Sequence, residues 1–441
     1  MSRESKRRFQ FIREIASGGF GGVYLCKVMH ADGFSRLAAV KLLHRRWSEN
    51  EEIARRMRDE ARLLGWLRHR NIVDVVDLTS IDGRAAVVME YLEACDLKNM
   101  VAFLGESGEL VPPRVVMEIT ASVASALDAA YNRPPYPGEK PLRVIHRDIK
   151  PSNVMIDESG LVKVLDFGVA RADFDSRESH TRELQFGSVD YMPPERLFFE
   201  PETPASDIYS LGASIFEVLT LEKLGKAKGR PERHARFLAD RMSFMRASLI
   251  VPPQLGSEIE QLLTRCLAFE HQDRPSAEDV QKIARQISRS LPGSSITEWC
   301  EEQIPGLVKR AQGLQAQSPP NPMAGRVLEE DSQVFVRSEA TKRPLQPELQ
   351  EVRPPPPDLG PNPTIVPDMD DLPPMGGGQS IEALLDQHNE DEWAADAATR
   401  IEPAPKVSSP PPEPKLPHRD VDPTVVNREP PPPPPADFPP P

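Results

Sequence analysis

Over residues 9–92, apolar positions come in short β-like runs. Phe9–Ile15, Val23–Val28, Leu37–Leu42 and Ala85–Met89 read as strands, the first two flanking a glycine cluster. Between the third and fourth runs the period changes. In Glu51–Leu67 the apolar residues Ile53, Met57, Leu63, Leu64 and Leu67 recur at helical spacing. From 93 to 290 helical spacing dominates, apart from two short β-rich stretches at Val154–Asp157 and Val162–Leu165. The longest apolar runs, Val115–Ala130 and Leu211–Leu221, are interrupted by Glu118, Asp128 or Glu217, so they read as core helices rather than membrane spans. The pattern predicts an α+β, two-lobed chain with a small β-rich lobe followed by a larger α-rich one.

Periodicity fades after about residue 300, and composition gives the reason. Of 48 prolines, 32 fall in residues 301–441, which also carry 24 acidic against 12 basic residues, nearly all of the net charge of −13. A proline-rich acidic segment buries too little apolar surface to offset its ordering entropy, so a disordered tail is expected. Pro354–Pro357 and Pro430–Pro435 read as polyproline II. Gln379–Arg400, with Ile381, Leu384, Leu385 and Trp393, reads as a short amphipathic helix. The division expected is a folded domain over 9–290, a C-terminal extension over 291–318 and the tail over 319–441. Residues 1–300 are nearly neutral, which argues against nucleic acid as the main partner. Cys26, Cys95, Cys266 and Cys300 stand singly, without zinc-ligand spacing, and read as reduced thiols. The N-terminus lacks the apolar segment of a signal peptide, and a cytoplasmic protein is expected.

Three constellations carry chemistry. The run Ile15-Ala16-Ser17-Gly18-Gly19-Phe20-Gly21-Gly22-Val23 is a glycine-rich turn that lets backbone N–H groups approach phosphates. Lys41, in Ala38-Ala39-Val40-Lys41, sits within an apolar strand, where an ammonium is costly unless something anionic meets it. Glu60, on the predicted helix, is the carboxylate expected to hold it. The sharpest signal is His146-Arg147-Asp148-Ile149-Lys150-Pro151-Ser152-Asn153. Phosphoryl transfer to a hydroxyl needs a carboxylate at the incoming oxygen (Asp148), positive charge on the moving phosphoryl (Lys150) and oxygen ligands for a metal (Asn153, then Asp166 of Asp166-Phe167-Gly168).

In that order these motifs resemble the eukaryotic-type protein kinases, and among them the bacterial serine/threonine kinases. The resemblance covers roughly 9–290 and includes Pro193-Pro194-Glu195, Asp207, and Arg274 expected to pair with Glu195. It implies the two-lobed kinase fold, ATP and Mg²⁺ as cofactors, protein substrates, and a hinge at Glu90-Tyr91-Leu92 that binds nucleotide together with the glycine run. Lys150 implies serine/threonine rather than tyrosine as acceptor, and the Ser188 hydroxyl is expected to bridge Asp148 and Lys150. A kinase-shaped scaffold without phosphoryl transfer would be expected to lack Lys41, Asp148, Asn153 or Asp166, and all four are present.

Ala16 replaces a glycine of the pattern, Pro193 an alanine and Ser188 a threonine. Tyr131–Leu142 is an insertion expected to protrude on the surface. In kinases of this pattern the arginine at Arg147 pairs with a phosphate on the activation segment. Ser176, Ser179 and Thr181 are candidates for that phosphate, Thr181 foremost. In the tail, Asn362–Pro367, Ala397–Glu402 and Asp422–Asn427 resemble one another. Thr364, Thr399 and Thr424 are candidate autophosphorylation sites for docking phosphothreonine-reading, forkhead-associated domains, with Pro-rich-motif binders as the alternative partners of the tail.

Overall fold

A computed structural model of the chain describes residues 6–48, 50–167, 189–316 and 321–331. The small lobe is built from β1 (Arg8–Ser17), β2 (Gly21–Met29), β3 (Ser35–Leu43), the helix α1 (Glu51–Trp66), β4 (Val75–Ile81) and β5 (Arg84–Met89). Period-two alternation along β3 sends Ala38, Val40 and Leu42 into one core with Phe9, Phe11, Tyr24 and Ile81. Ala39 and Leu43 join a second core with Ala54, Met57 and Ala61 of α1. Lys41 shares their parity and registers between Val23 of β2 and Val87 of β5. Helix α1 begins where the Asn50 side chain accepts a hydrogen bond from the Ile53 N–H at 3.1 Å. The periodicity had not separated out β4, because Asp77, Thr79 and Ser80 break its apolar run.

The larger lobe follows with β6 (Ala94–Asp96), α2 (Leu97–Ser107), α3 (Pro113–Asn132), β7 (Val154–Asp157) and β8 (Val162–Val164). From residue 189 onward come the single turn α4 (Pro194–Leu197), then α5 (Pro204–Thr220), α6 (Pro231–Ser248), α7 (Pro253–Cys266), α8 (Ala277–Ser290) and α9 (Ile296–Ala316). Helix α5 is buried on every side from Ser206 to Thr220, which makes it the axis of the lobe. Glu195 and Arg274 form the expected pair, at 2.7 and 2.8 Å through both guanidinium nitrogens. No helix among the described residues is long and apolar enough to cross a membrane.

The C-terminal region departs from expectation. The extension is the helix α9, with Cys300 and Ile304 buried in the large-lobe core. Residues 321–331, expected to belong to the tail, return to the small lobe. There β9 (Val327–Glu329) pairs antiparallel with β1, giving the sheet order β4-β5-β3-β2-β1-β9. A bridge from Ile81 to Glu330 joins β9 to β4 and closes the sheet on itself. Sequence patterning missed β9 because only three residues form it and two of them are exposed. The insertion is mostly exposed, as expected, with α3 continuing through Asn132 and Tyr136 meeting Trp66 of α1 edge-on at 5.4 Å. The polyproline runs and Gln379–Arg400 lie outside the described residues.

Candidate active site

The loop between α3 and β7 carries the reactive side chains. Asp148 Oδ2 accepts from Lys150 Nζ at 2.9 Å and from Asn153 Nδ2 at 2.9 Å. The same amide donates to the Asp148 carbonyl at 2.8 Å. The three residues expected to act together therefore meet at one carboxylate. Both amide hydrogens of Asn153 are used on Asp148, which leaves the oxygen Oδ1 as its acceptor end.

The loop is held from below. Asp207, on the buried face of α5, accepts the N–H of His146 at 2.7 Å and of Arg147 at 2.8 Å, one on each oxygen. Burial pushes Asp207 up to about 7, opposed by these two donors. Arg147 lies at φ 66°, a left-handed conformation costly for a non-glycine residue and tolerated only where the surroundings over-determine it. His146 is fully buried. Its Nδ1 accepts the Asp148 N–H at 3.2 Å, so Nε2 carries the proton and donates to the Leu165 carbonyl at 2.8 Å. The ring lies 4.5 Å from that of Phe167. The Leu165 N–H bonds the Asn153 carbonyl at 2.9 Å, so Asn153 and Asp166 are fixed to one another through the backbone.

Asp166 also has positive φ, 46°. Its carboxylate receives Lys41 Nζ at 2.9 Å, and that ammonium holds Asp166 below the usual carboxylate range. Asp166 is thus an anion that meets Lys41 here. Glu60 sits on α1, and its side chain lies outside what is described. The hard oxygens of Asn153 and Asp166 are the ligand type that suits Mg²⁺, so the residues present fit that ion.

The glycine run forms the turn between β1 and β2. Ile15, Ala16 and Ser17 end β1, Gly18, Gly19 and Phe20 turn, and Gly21, Gly22 and Val23 start β2, with the Gly18 N–H on the Gly21 carbonyl at 2.9 Å. A Cβ on Gly21 would come within 2.5 Å of the Leu42 carbonyl oxygen, and one on Gly22 within 2.7 Å of the Tyr24 hydroxyl. The site excludes side chains there. The Gly19 carbonyl accepts from Arg46 at 2.8 Å and from the Trp47 indole at 3.0 Å, so the turn leans on the start of the β3–α1 connection. Ile15, Val23 and Leu165 are partly buried and pack against the cluster that holds Ala39 and Met89.

At the hinge, the Glu90 side chain is engaged by neighbouring elements. It takes Lys163 Nζ at 2.6 Å and the Asp74 N–H at 2.7 Å, bracing the hinge from behind. Arg147 Nε faces Glu202 at 3.3 Å, and Arg196 Nε approaches the same carboxylate at 3.6 Å. Arg196 further donates to the Arg147 carbonyl at 2.5 Å. Thr181 and Ser188, with Ser176 and Ser179, lie outside the described residues.

The sequence profile of the protein kinase domain family matches residues 9–284. The chain belongs to the protein kinase family. Similar curated proteins include the tyrosine-protein kinase MasK of Myxococcus xanthus, 34% identical over 293 residues, 65% of this chain and 44% of that protein. The serine/threonine-protein kinase PrkC of Bacillus subtilis is 36% identical over 213 residues, 48% of this chain and 30% of that protein. The chain thus spans under half the length of these curated relatives. Among solved structures, the kinase domain of Mycobacterium tuberculosis PknI is 23% identical, with a TM-score of 0.44 over 63% of this chain and 95% of that one.

The motifs pointed to Asp148, Lys150, Asn153, Lys41 and Asp166, and the fold gathers them in two linked clusters. Sequence reasoning missed the supports. Glu202 and Arg196 belong to no motif. The place of Asp207 was legible, but not that it holds two backbone N–H groups of the catalytic loop.

Proposed function

We propose that the chain is an ATP-dependent protein serine/threonine kinase that moves the γ-phosphoryl of ATP to hydroxyls of proteins, itself among them. The observation that carries this reading is the single carboxylate oxygen of Asp148 held between Lys150 and Asn153, with Asp166 held by Lys41 at the end of the adjoining strand. Asp148 takes the acceptor hydroxyl and its proton. Lys150, alongside, neutralises charge on the phosphoryl in flight. Lys41 meets the other phosphates, and the turn Gly18–Gly22 offers them backbone N–H groups. Bound Mg²⁺, for which Asn153 and Asp166 supply the oxygens, balances phosphate charge. Ile15, Val23, Ala39 and Met89 give the base an apolar slot, with Glu90 and Leu92 meeting it through backbone.

Serine and threonine are the acceptors this reading favours, because Lys150 beside Asp148 is the pattern of those kinases. The naming of MasK as a tyrosine kinase makes the choice worth testing directly. Phosphoamino-acid analysis of the chain after incubation with MgATP is expected to give phosphoserine and phosphothreonine. Phosphotyrosine alone would overturn the assignment. Ser188 as a bridge to Asp148 and Lys150, Thr181 as an activating phosphosite, and tail threonines read by forkhead-associated domains are parts of the same proposal, as is a cytoplasmic location.

A further inference from the structure

The segment 321–331 does more than cover an edge. Met323 is buried in the small-lobe core beside Phe9, Phe11 and Ile81. The Gly325 N–H donates to the Phe11 carbonyl at 2.8 Å, and the Phe11 N–H donates to the Arg326 carbonyl at 2.9 Å. Glu330 takes Arg7 through two nitrogens, at 2.9 and 2.5 Å, and the Thr79 hydroxyl at 2.5 Å. Asp331 is fixed at the β4–β5 turn by the Ser80 hydroxyl at 2.6 Å and the Gly83 N–H at 2.8 Å.

One end of the segment reaches towards the glycine turn. The Asn321 amide donates to Glu14 on β1 and lies against the hydroxyl of Tyr24 on β2. Glu14 and Tyr24 are cross-strand partners, three and two residues from Ser17 and Gly22. The Tyr24 hydroxyl lies within 2.7 Å of where a Cβ on Gly22 would be, so the chain of contacts runs from Asn321 through Tyr24 to the turn itself. Its other end leads back, across the four residues 317–320, to α9 on the large lobe. The lobes are therefore joined covalently twice, by the hinge and by this segment.

We propose that residues 321–331 are a positioning strap for the nucleotide-binding turn, with Asn321 as the residue that ties the strap to the β1–β2 hairpin. The proposal rests on the reading of the site as a nucleotide site. A hairpin free to splay would lose ordering entropy on closing over phosphates, and a strap that orders it beforehand removes that cost. Asn321 is a positioning residue, since it acts through Glu14 and Tyr24 and touches no phosphate.

The test uses the full chain and MgADP as probe, with binding measured by calorimetry and KM for ATP and kcat measured separately. Asn321→Ala is expected to weaken MgADP binding and raise KM about fivefold, the size of one lost hydrogen bond, with kcat and melting temperature unchanged. Met323→Ala, which opens the core under the strap, is expected to lower the melting temperature as well as weaken binding. If Asn321→Ala binds MgADP as wild type does, the proposal is overturned while the site reading stands. If wild type binds no MgADP, the site reading fails and the proposal with it. A melting temperature lowered by Asn321→Ala without any change in KM or in MgADP binding makes the segment a structural stave only, and also overturns the proposal.

Discussion

Replacing Arg274 with methionine strikes the best-defined buried charge in the protein. The Arg274 and Glu195 side chains are 0% and 4% exposed and joined through both guanidinium nitrogens. Arg274 also donates to the carbonyls of Ala205, Ala268 and Phe269 at 3.1, 2.8 and 2.9 Å. Arg274→Met leaves Glu195 buried without its cation, with the Ser206 hydroxyl at 2.6 Å and its own backbone N–H as remaining donors. Breaking a buried pair costs about 3–5 kcal/mol. Three carbonyls losing a donor add to this, so at least about 4 kcal/mol of unfolding free energy is expected to disappear. The double variant Glu195→Gln/Arg274→Met removes the stranded charge and is expected to recover much of the loss. Burial raises Glu195, but the bonds from Arg274 and Ser206 outweigh it and hold it below the usual range. A depressed carboxylate contributes stability above its unfolded pKa and loses it as pH falls through the lower folded value. In Arg274→Met the same carboxylate is buried without its cation, so protonation relieves the variant. The gap between the two proteins should narrow as pH falls through about 4. Urea unfolding at pH 7 and near pH 4 measures both quantities. A loss below about 1 kcal/mol at pH 7, or a gap that widens in acid, would refute the reasoning.

Lys41→Met and Asp166→Asn are each expected to lower phosphotransfer at least about 100-fold with an unchanged circular-dichroism melt, since each removes a charge set on the phosphates or the metal. Glu202 gives Arg147 a carboxylate without any phosphate, so Thr181→Ala should keep measurable activity. Adding Glu202→Gln should lower kcat roughly fivefold further, the value of a partly buried charge pair of about 1 kcal/mol, and equal rates for the single and double variants would remove that role. Phosphosite mapping after incubation with MgATP is expected to find Thr364, Thr399 or Thr424 modified; phosphate confined to residues 1–331 would remove the tail from the account.

The sequence made the chemistry legible because phosphoryl transfer demands particular side chains at short fixed spacings, as in Asp148, Lys150 and Asn153. The two lobes were legible for a related reason, since alternation in β3 and helical spacing in α1 persist over many residues. What escaped notice depends on contacts across long sequence separations. Nothing local marks Glu202 as the partner of Arg147, or Glu90 as a brace on Lys163. The strap was hidden by its setting: Met323 is one apolar residue in a proline-rich, polar context, and β9 derives its order from β1 and β4. Its position also changes where the tail can be cut. Truncation at residue 300 would divide α9 and remove β9, whereas a stop after Asp331 spares both.

The most direct test of the central claim is transfer of labelled γ-phosphate from MgATP to protein by the full-length chain, beside Asp148→Asn. Asparagine keeps the shape of Asp148 and the fold that Asp207 supports, but cannot take the acceptor proton. Wild type is expected to label itself or a generic protein substrate on serine and threonine, and Asp148→Asn to fall at least about 100-fold while still binding MgADP. Equal labelling by the two proteins would contradict the account.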